Sequence, residues 1–120
     1  MSDVGLTTRK LRILMTNDGR PVHVAERNAK KDATNLVVGP GDTIEWTANK
    51  SFGFTIRLVS VDGAAISSNP FSNWSSHSES CAADGQVIGI LKSDPGGVAI
   101  KYNVEVAGKM ILDPQIIIET

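Results

Sequence analysis

The feature that most constrains the fold of this chain is a strict alternation of apolar and polar residues in two neighbouring segments. Residues 43–47 (TIEWT) follow a Gly-Pro-Gly-Asp turn, and residues 54–58 (FTIRL) repeat the pattern. A period of two is typical of a β-strand that buries one face. We therefore predict a pair of strands in this region. Its buried side chains are expected to be Ile44, Trp46, Phe54, Ile56 and Leu58.

Shorter segments of the same kind recur along the chain, separated by turn signals rich in Gly, Pro, Asn and Asp. Further strands are predicted at residues 11–15, 21–24, 87–91, 98–106 and 113–118. In the second of these we expect Val22 and Val24 on one face and His23 on the other. Residues 25–33 have helical propensity but no apolar stripe, which predicts an exposed loop or a single turn of helix. Seven or eight short strands between turns predict an all-β sandwich or barrel.

The alternation stops between residues 64 and 84, a long stretch that is rich in serine. Long loops in compact domains are either functional or held down by their own side chains. One alternative is that Phe71 and Trp74 anchor this loop in the core, and the other is that they face solvent as a binding surface. We predict a partner-contact surface in this loop, made by Phe71, Trp74 and His77.

The length and charge of the chain limit the classes of protein to consider. A chain of 120 residues is expected to form one domain, with residues 1–8 frayed at the N-terminus. The net charge of −1 gives no argument for nucleic acid or an anionic membrane as partner. Residues 1–31 nevertheless carry seven Lys or Arg against three acids. An anionic partner is one interpretation, but solvated strand faces are favoured because no aromatic residues interleave the charges.

The sequence also bears on compartment and cross-linking. Cys81 is the single cysteine, which excludes an internal disulfide. No apolar run approaches the roughly 20 residues of a membrane span, so no membrane contact is expected. The N-terminal residues lack the pattern of a secretory signal, and we therefore expect a cytoplasmic protein.

Residues 41–46 (GDTIEW), followed by Asn49 and a second apolar strand, resemble the cupredoxin family. Residues 102–106 (YNVEV) look like the penultimate strand of that family, and residues 116–119 look like the last one. The resemblance implies an all-β fold, a Greek-key β-sandwich of cupredoxin-like type. An immunoglobulin-like sandwich is the alternative, although the Cys…Trp…Cys spacing of antibody domains is missing.

The copper-ligand pattern of that family does not carry over to this chain. A blue-copper centre needs two imidazoles and a thiolate, with a weak axial thioether. Phe54 stands near the place of the first His, and residues 106–110 (VAGKM) replace the segment that holds the Cys and the second His. His23, His77 and Cys81 all precede the penultimate strand, which is the wrong order. The resemblance therefore implies the fold without the copper site, and we expect no cofactor.

Two other groups of residues could carry chemistry. His77 and Cys81 lie four residues apart, with Glu79 between them and Asp84 beyond, which would suit a metal site or a nucleophilic Cys–His pair on a helix. A polar loop with a surface His and an inert thiol is the favoured interpretation. The residues 75–77 (SSH) suggest a hydrolase, but no G-x-S-x-G elbow is present.

These observations favour a non-enzymatic binding or interaction module whose partner is a protein or a small molecule. A small metal-binding or hydrolytic protein that uses His77 and Cys81 is one alternative. A structural subunit of a homo-oligomer, formed through an edge strand or the 64–84 loop, is another.

Overall fold

The computed structural model describes residues 7–26, 31–32, 35–66, 69–94, 99–106 and 114–118, in which it has eleven strands and no helix. The strands are β1 (Thr8–Met15), β2 (Pro21–Glu26), β3 (Lys31–Asp32), β4 (Asn35–Val38), β5 (Thr43–Ala48), β6 (Phe54–Val61), β7 (Ala64–Ala65), β8 (Ser78–Cys81), β9 (Val87–Ile90), β10 (Ala99–Glu105) and β11 (Gln115–Ile118). The all-β prediction is confirmed for this part of the chain.

The strands form two sheets that pack face to face. Sheet A has the order β3-β2-β1-β5-β9, and sheet B has the order β4-β11-β10-β6-β7, with β8 also paired to β6. The pairs β1–β5 and β4–β11 are parallel, and the others are antiparallel. In β1, β5, β6 and β10, buried side chains alternate with more exposed ones, and the buried side chains point to the other sheet.

The core between the sheets contains the side chains that the alternation predicts. Ile44, Trp46, Phe54, Ile56 and Leu58 are all buried, so this prediction is confirmed. The strands β1, β10 and β11 add further aliphatic side chains to the same cluster. Burial of this apolar surface supplies the main driving force for folding.

The predicted pairing of residues 43–47 with residues 54–58 is wrong. Strand β5 pairs with β1 and β9 in sheet A, whereas β6 pairs with β10, β8 and β7 in sheet B. The connection at residues 49–53 therefore crosses from one sheet to the other. Two consecutive strands have the same period of two whether they pair within one sheet or face each other across the core. The pattern alone therefore does not distinguish these two arrangements.

The prediction for the face of Val22 is also wrong. The register places His23 opposite Leu14 and Pro21 opposite Met15, with an irregularity between the two pairs. This bulge leaves Val22 outside the alternation, and its side chain is 54% exposed, whereas Val24 is buried. An extra residue on one strand locally reverses which side chains face the core.

Residues 25–33 do not form the predicted loop or helical turn where the structure describes them. Strand β2 continues through Glu26, and Lys31–Asp32 pairs with it as β3. Residues 27–30 and 33–34 lie outside the described residues. Pairing with a neighbouring strand outweighs weak helical propensity when the segment has no apolar helical face.

Two residues of the predicted flexible N-terminal segment, Thr7 and Thr8, lie in the described part of the chain. Thr8 is the first residue of β1, and the Thr7 backbone N–H donates to Asp42 Oδ1 at 2.9 Å. Residues 1–6 lie outside the described residues, as do Val98 and Asp113 at the predicted ends of two strands.

Candidate functional site

The loop predicted as the contact surface contains regular structure and is anchored in the core. Strands β7 and β8 fall within it and pair with β6, so the prediction of an irregular stretch is wrong there. Phe71 and Trp74 are 1% and 6% exposed, with ring centroids 4.6 Å apart. Their rings are therefore buried and anchor the loop. His77 is exposed, and a contact role for this loop stays a prediction that rests on such residues.

Residues 69–76, here called the strap, close the open edge of β9. The side-chain amide of Asn73 donates to Ile88 O at 2.8 Å and accepts from Ile90 N at 2.9 Å. The indole N–H of Trp74 also donates to Ile88 O, at 2.8 Å. These bonds replace those of a further strand and block an edge that would otherwise pair with another chain. Nothing in the sequence periodicity marked Asn73 for this role.

Asn69 holds the strap in shape. Its Oδ1 accepts from Phe71 N at 3.0 Å, and its Nδ2 donates to Ser76 O at 2.6 Å and Trp74 O at 3.3 Å. The Ser76 hydroxyl donates to Ser78 O at 2.9 Å. The Ser76 hydroxyl is thus hydrogen-bonded within the loop. Among the described residues, it forms no hydrogen bond with His77.

His77 and Cys81 do not converge. Residues 78–81 form a strand, in which positions four apart are separated by about 13 Å, whereas a helix would bring them to one face. Cys81 packs against the core beside Phe54. Burial raises the pKa of its thiol above the ordinary value, although a hydrogen bond with the Phe54 backbone opposes this. A protonated, partly buried thiol is a poor nucleophile. The described residues contain no group of three His, Cys, Asp or Glu side chains that could hold a metal ion.

The positions at which the resemblance implies copper ligands are apolar and packed. Phe54 opens β6 and Val106 follows β10, and both side chains belong to the core cluster. Neither phenyl nor isopropyl groups can donate electrons to a metal. Residues 107–110, including Met110, lie outside the described residues.

An aromatic pair lies at the centre of the core. The indole N–H of Trp46 donates to the Tyr102 hydroxyl at 3.2 Å, and the two rings meet edge to face with centroids 5.4 Å apart. Tyr102 is fully buried, and burial raises its pKa well above the ordinary value, with the Trp46 hydrogen bond acting in the opposite direction.

Tyr102 is the single tyrosine, so phenolate absorbance in the near ultraviolet reports on it alone. We expect no phenolate in the folded protein as the pH rises past the ordinary value of about 10. The neutral form is favoured by folding, so stability is fully present below that value and decreases as pH rises above it. The absorbance should appear together with loss of circular dichroism. Phenolate formation in the folded protein at the ordinary pKa would contradict the burial.

The outer face of sheet B satisfies its polar groups internally. Arg57 forms two hydrogen bonds with Glu105, at 2.9 and 3.2 Å. Gln115 donates to Asn35 at 2.8 Å, and the hydroxyls of Thr55 and Ser80 are 2.7 Å apart. Cross-strand pairs of this kind stabilise a solvated sheet face and leave few groups available to a partner.

The outer face of sheet A differs in this respect, and we call it the basic face. Its described side chains alternate with the core residues of β1, β2, β5 and β9. They are Lys10, Arg12, Leu14, His23, Ala25, Thr43, Glu45, Thr47, Ile88 and Ile90. Arg12 lies between Ala25 and Thr47, and its Nε is buried without a hydrogen-bond acceptor. An unsatisfied buried donor is rare and costly in folded proteins.

Comparison with solved structures identifies the fold. A structure titled as a novel purple cupredoxin from Nitrosopumilus maritimus matches 92% of this chain and 99% of its own, with a TM-score of 0.56 and 14% sequence identity. No protein-family model and no curated protein matches the sequence. At this identity the likeness concerns the fold alone.

The chain therefore has an all-β, cupredoxin-like β-sandwich fold. This confirms the resemblance and selects it over the immunoglobulin-like alternative. In the described part of the chain, no helix is long and apolar enough to cross a membrane.

Proposed function

We propose that this protein is a non-enzymatic binding module that contacts a protein partner through the basic face of sheet A. The observation that carries the proposal is Arg12, whose Nε donor is buried on this face without an acceptor. The side chains of Leu14 and Ile88 are half-buried, and Ile90 is 38% exposed on the same face. A surface that combines partly exposed apolar groups with a half-buried Arg side chain is suited to being covered by a partner.

The sheet edges are less suited to this role. The strap covers β9, and β3 has only two residues. Arg9, paired with Glu26, donates from Nη1 to Val37 O of the edge strand β4 at 2.6 Å. Short, covered or capped edges disfavour the addition of a strand from another chain. A second copy of this chain stays an alternative occupant of the basic face, to be detected as a dimer by light scattering.

The chemical alternative has weaker support. It needs His77 and Cys81 at one site, and strand geometry separates them by about 13 Å. The thiol of Cys81 also packs against apolar core residues. A binding role requires none of these groups to act together. A cytoplasmic location stays a prediction.

The test compares two substitutions of similar exposure on opposite sheets. Ile90→Glu changes the basic face, and Val59→Glu changes β6 of sheet B, where the side chain is 46% exposed. Immobilised wild-type and variant proteins are incubated with extract of the source cells, and each retained polypeptide is purified and measured against them in pairs. We expect Ile90→Glu to weaken binding by about tenfold or more and Val59→Glu to leave it unchanged.

Thermal unfolding of both variants serves as the control for folding. A purified partner whose affinity falls with Val59→Glu and not with Ile90→Glu would overturn the assignment of the surface. A pure partner that binds all three proteins equally would do the same.

A further inference from the structure

We infer that the partner presents an extended acidic segment to the basic face, with carboxylates on alternate residues that bind Arg12 and Lys10. This inference rests on the proposed function and names the chemistry of its partner. Three observations carry it: the donor of Arg12, the spacing of the basic side chains and the contrast between the two outer faces.

Arg12 is the anchor of the inferred contact. Its direct cross-strand neighbours on this face are Ala25 and Thr47, neither of which is charged. Thr47 donates its hydroxyl proton to Leu11 O at 3.3 Å, and its oxygen does not accept a hydrogen bond from Arg12 Nε. A carboxylate is the acceptor that matches a guanidinium best, because it binds two N–H groups side by side. Such a carboxylate would bind Arg12 through its two terminal amino groups, because Nε is already covered by this chain.

The spacing of the basic groups points to an extended segment. Lys10 and Arg12 are two positions apart on β1, which separates them by about 6.6 Å along the strand. His23 lies diagonally across from Arg12 on β2, about 7–8 Å away. Alternate side chains of an extended polypeptide on one side have this same period of about 6.6 Å. Carboxylates at every second residue would therefore meet Arg12 and Lys10 together.

The charge balance of the face favours an anionic partner. Glu45 is the acidic side chain among those described on this face, and it lies in register with Lys10. Arg9 forms an ion pair with Glu26, and Arg57 forms one with Glu105; neither pair involves Lys10 or Arg12. On sheet B the cation at Arg57 is already neutralised by Glu105. The two outer faces thus differ in what they can offer to a carboxylate.

A polypeptide suits this face better than a nucleic acid does. Bases of single strands bind by stacking on exposed aromatic rings. Five of the six aromatic side chains are buried in the core, and the sixth, Phe52, packs against that core and against Gly19. The face offers instead the aliphatic side chains of Leu14, Ile88 and Ile90, which can pack against apolar side chains on the same side of the segment as the carboxylates.

The experiment uses synthetic peptides as probes and the whole chain as receptor. The first peptide alternates Glu and Thr over about a dozen residues, long enough to span the face. The second has the same composition but alternates pairs of Glu with pairs of Thr. Fluorescence anisotropy at low salt is expected to show tighter binding of the first peptide, with an affinity that falls as salt is added.

Four variants separate the roles of the residues. Arg12→Ala should weaken binding by about tenfold, and Lys10→Ala by a smaller factor, because the Arg can bind a carboxylate through two bonds. Arg12→Lys keeps the charge and should still bind more weakly than wild type. Lys101→Ala removes the same charge from sheet B and should leave the affinity unchanged. Circular dichroism of each variant confirms that it is folded.

Other outcomes would overturn the inference. Equal affinity of the two peptides would contradict the spacing argument, and an affinity unaffected by Arg12→Ala and Arg12→Lys would contradict the anchor. Tighter binding of single-stranded DNA or heparin than of either peptide would contradict the class of partner. If a purified partner is sensitive to Ile90→Glu while neither peptide binds, the inference fails and the proposed function stands.

Discussion

Replacement of Phe71 by alanine is expected to lower the free energy of unfolding by about 3–5 kcal/mol, the usual cost of deleting a buried phenyl ring. The ring packs against Trp74, and edge to face against Trp46 at 6.3 Å. It also fills the space over Gly89, where a Cβ atom would come within 2.6 Å of the ring. The cavity would therefore lie between the strap and β9, at a site that collapses poorly. Urea unfolding followed by Trp fluorescence measures the effect.

Ser75→Ala is the matched control, because Ser75 lies on the same strap and is exposed. It should change the free energy of unfolding by less than about 0.5 kcal/mol. Amide exchange at Ile90 gives a second readout, since its N–H donates to Asn73 on the strap. Faster exchange at Ile90 is expected in Phe71→Ala. A cost below about 1 kcal/mol with unchanged exchange would show that the ring does not anchor the strap.

Asp42→Ala is expected to lower the free energy of unfolding by about 3 kcal/mol, because it leaves two backbone donors without their charged acceptor. Asp42 is 3% exposed. Its Oδ1 accepts from Thr7 N at 2.9 Å, and its Oδ2 accepts from Gly39 N at 2.8 Å. The carboxylate thus joins the start of β1 to the turn that precedes β5. Thermal and urea unfolding measure the loss.

Asp42→Asn separates the charge from the shape of this side chain. The amide keeps one acceptor but places its N–H₂ against one of the two backbone donors, so a substantial part of the loss is expected to persist. Asp94→Ala, at an exposed position, should have almost no effect. Equal stability of Asp42→Ala and Asp94→Ala would contradict a structural role for the Asp42 carboxylate.

The sequence predicted the strands and the buried face well where alternation was strong. Ile44, Trp46 and Ile56 are buried as expected, because a period of two states directly which side chains share a face. The prediction failed where a β-bulge shifts the alternation of buried and exposed positions. The bulge opposite Leu14 and Met15 leaves the Val22 side chain exposed to solvent. No residue type in this segment predicts such a bulge.

The candidate surface was predicted less well. The predicted contact residues Phe71 and Trp74 are aromatic and lie in a polar loop, which is equally compatible with anchoring and with exposure. Arg12 was part of a basic segment whose favoured interpretation was a solvated face. Its distinguishing property is the missing acceptor at Nε, and that depends on which side chains the neighbouring strands place beside it.

The sequence by itself thus determined the class of fold and the set of side chains that must be buried, because both follow from the local alternation of apolar and polar residues. Only the tertiary structure decided that β5 and β6 belong to different sheets and that Asn73 closes the edge of β9. The Asn73 contact joins residues 15 positions apart. Such contacts form only when strands from distant parts of the chain meet. The local pattern of apolar residues does not predict which strands those are.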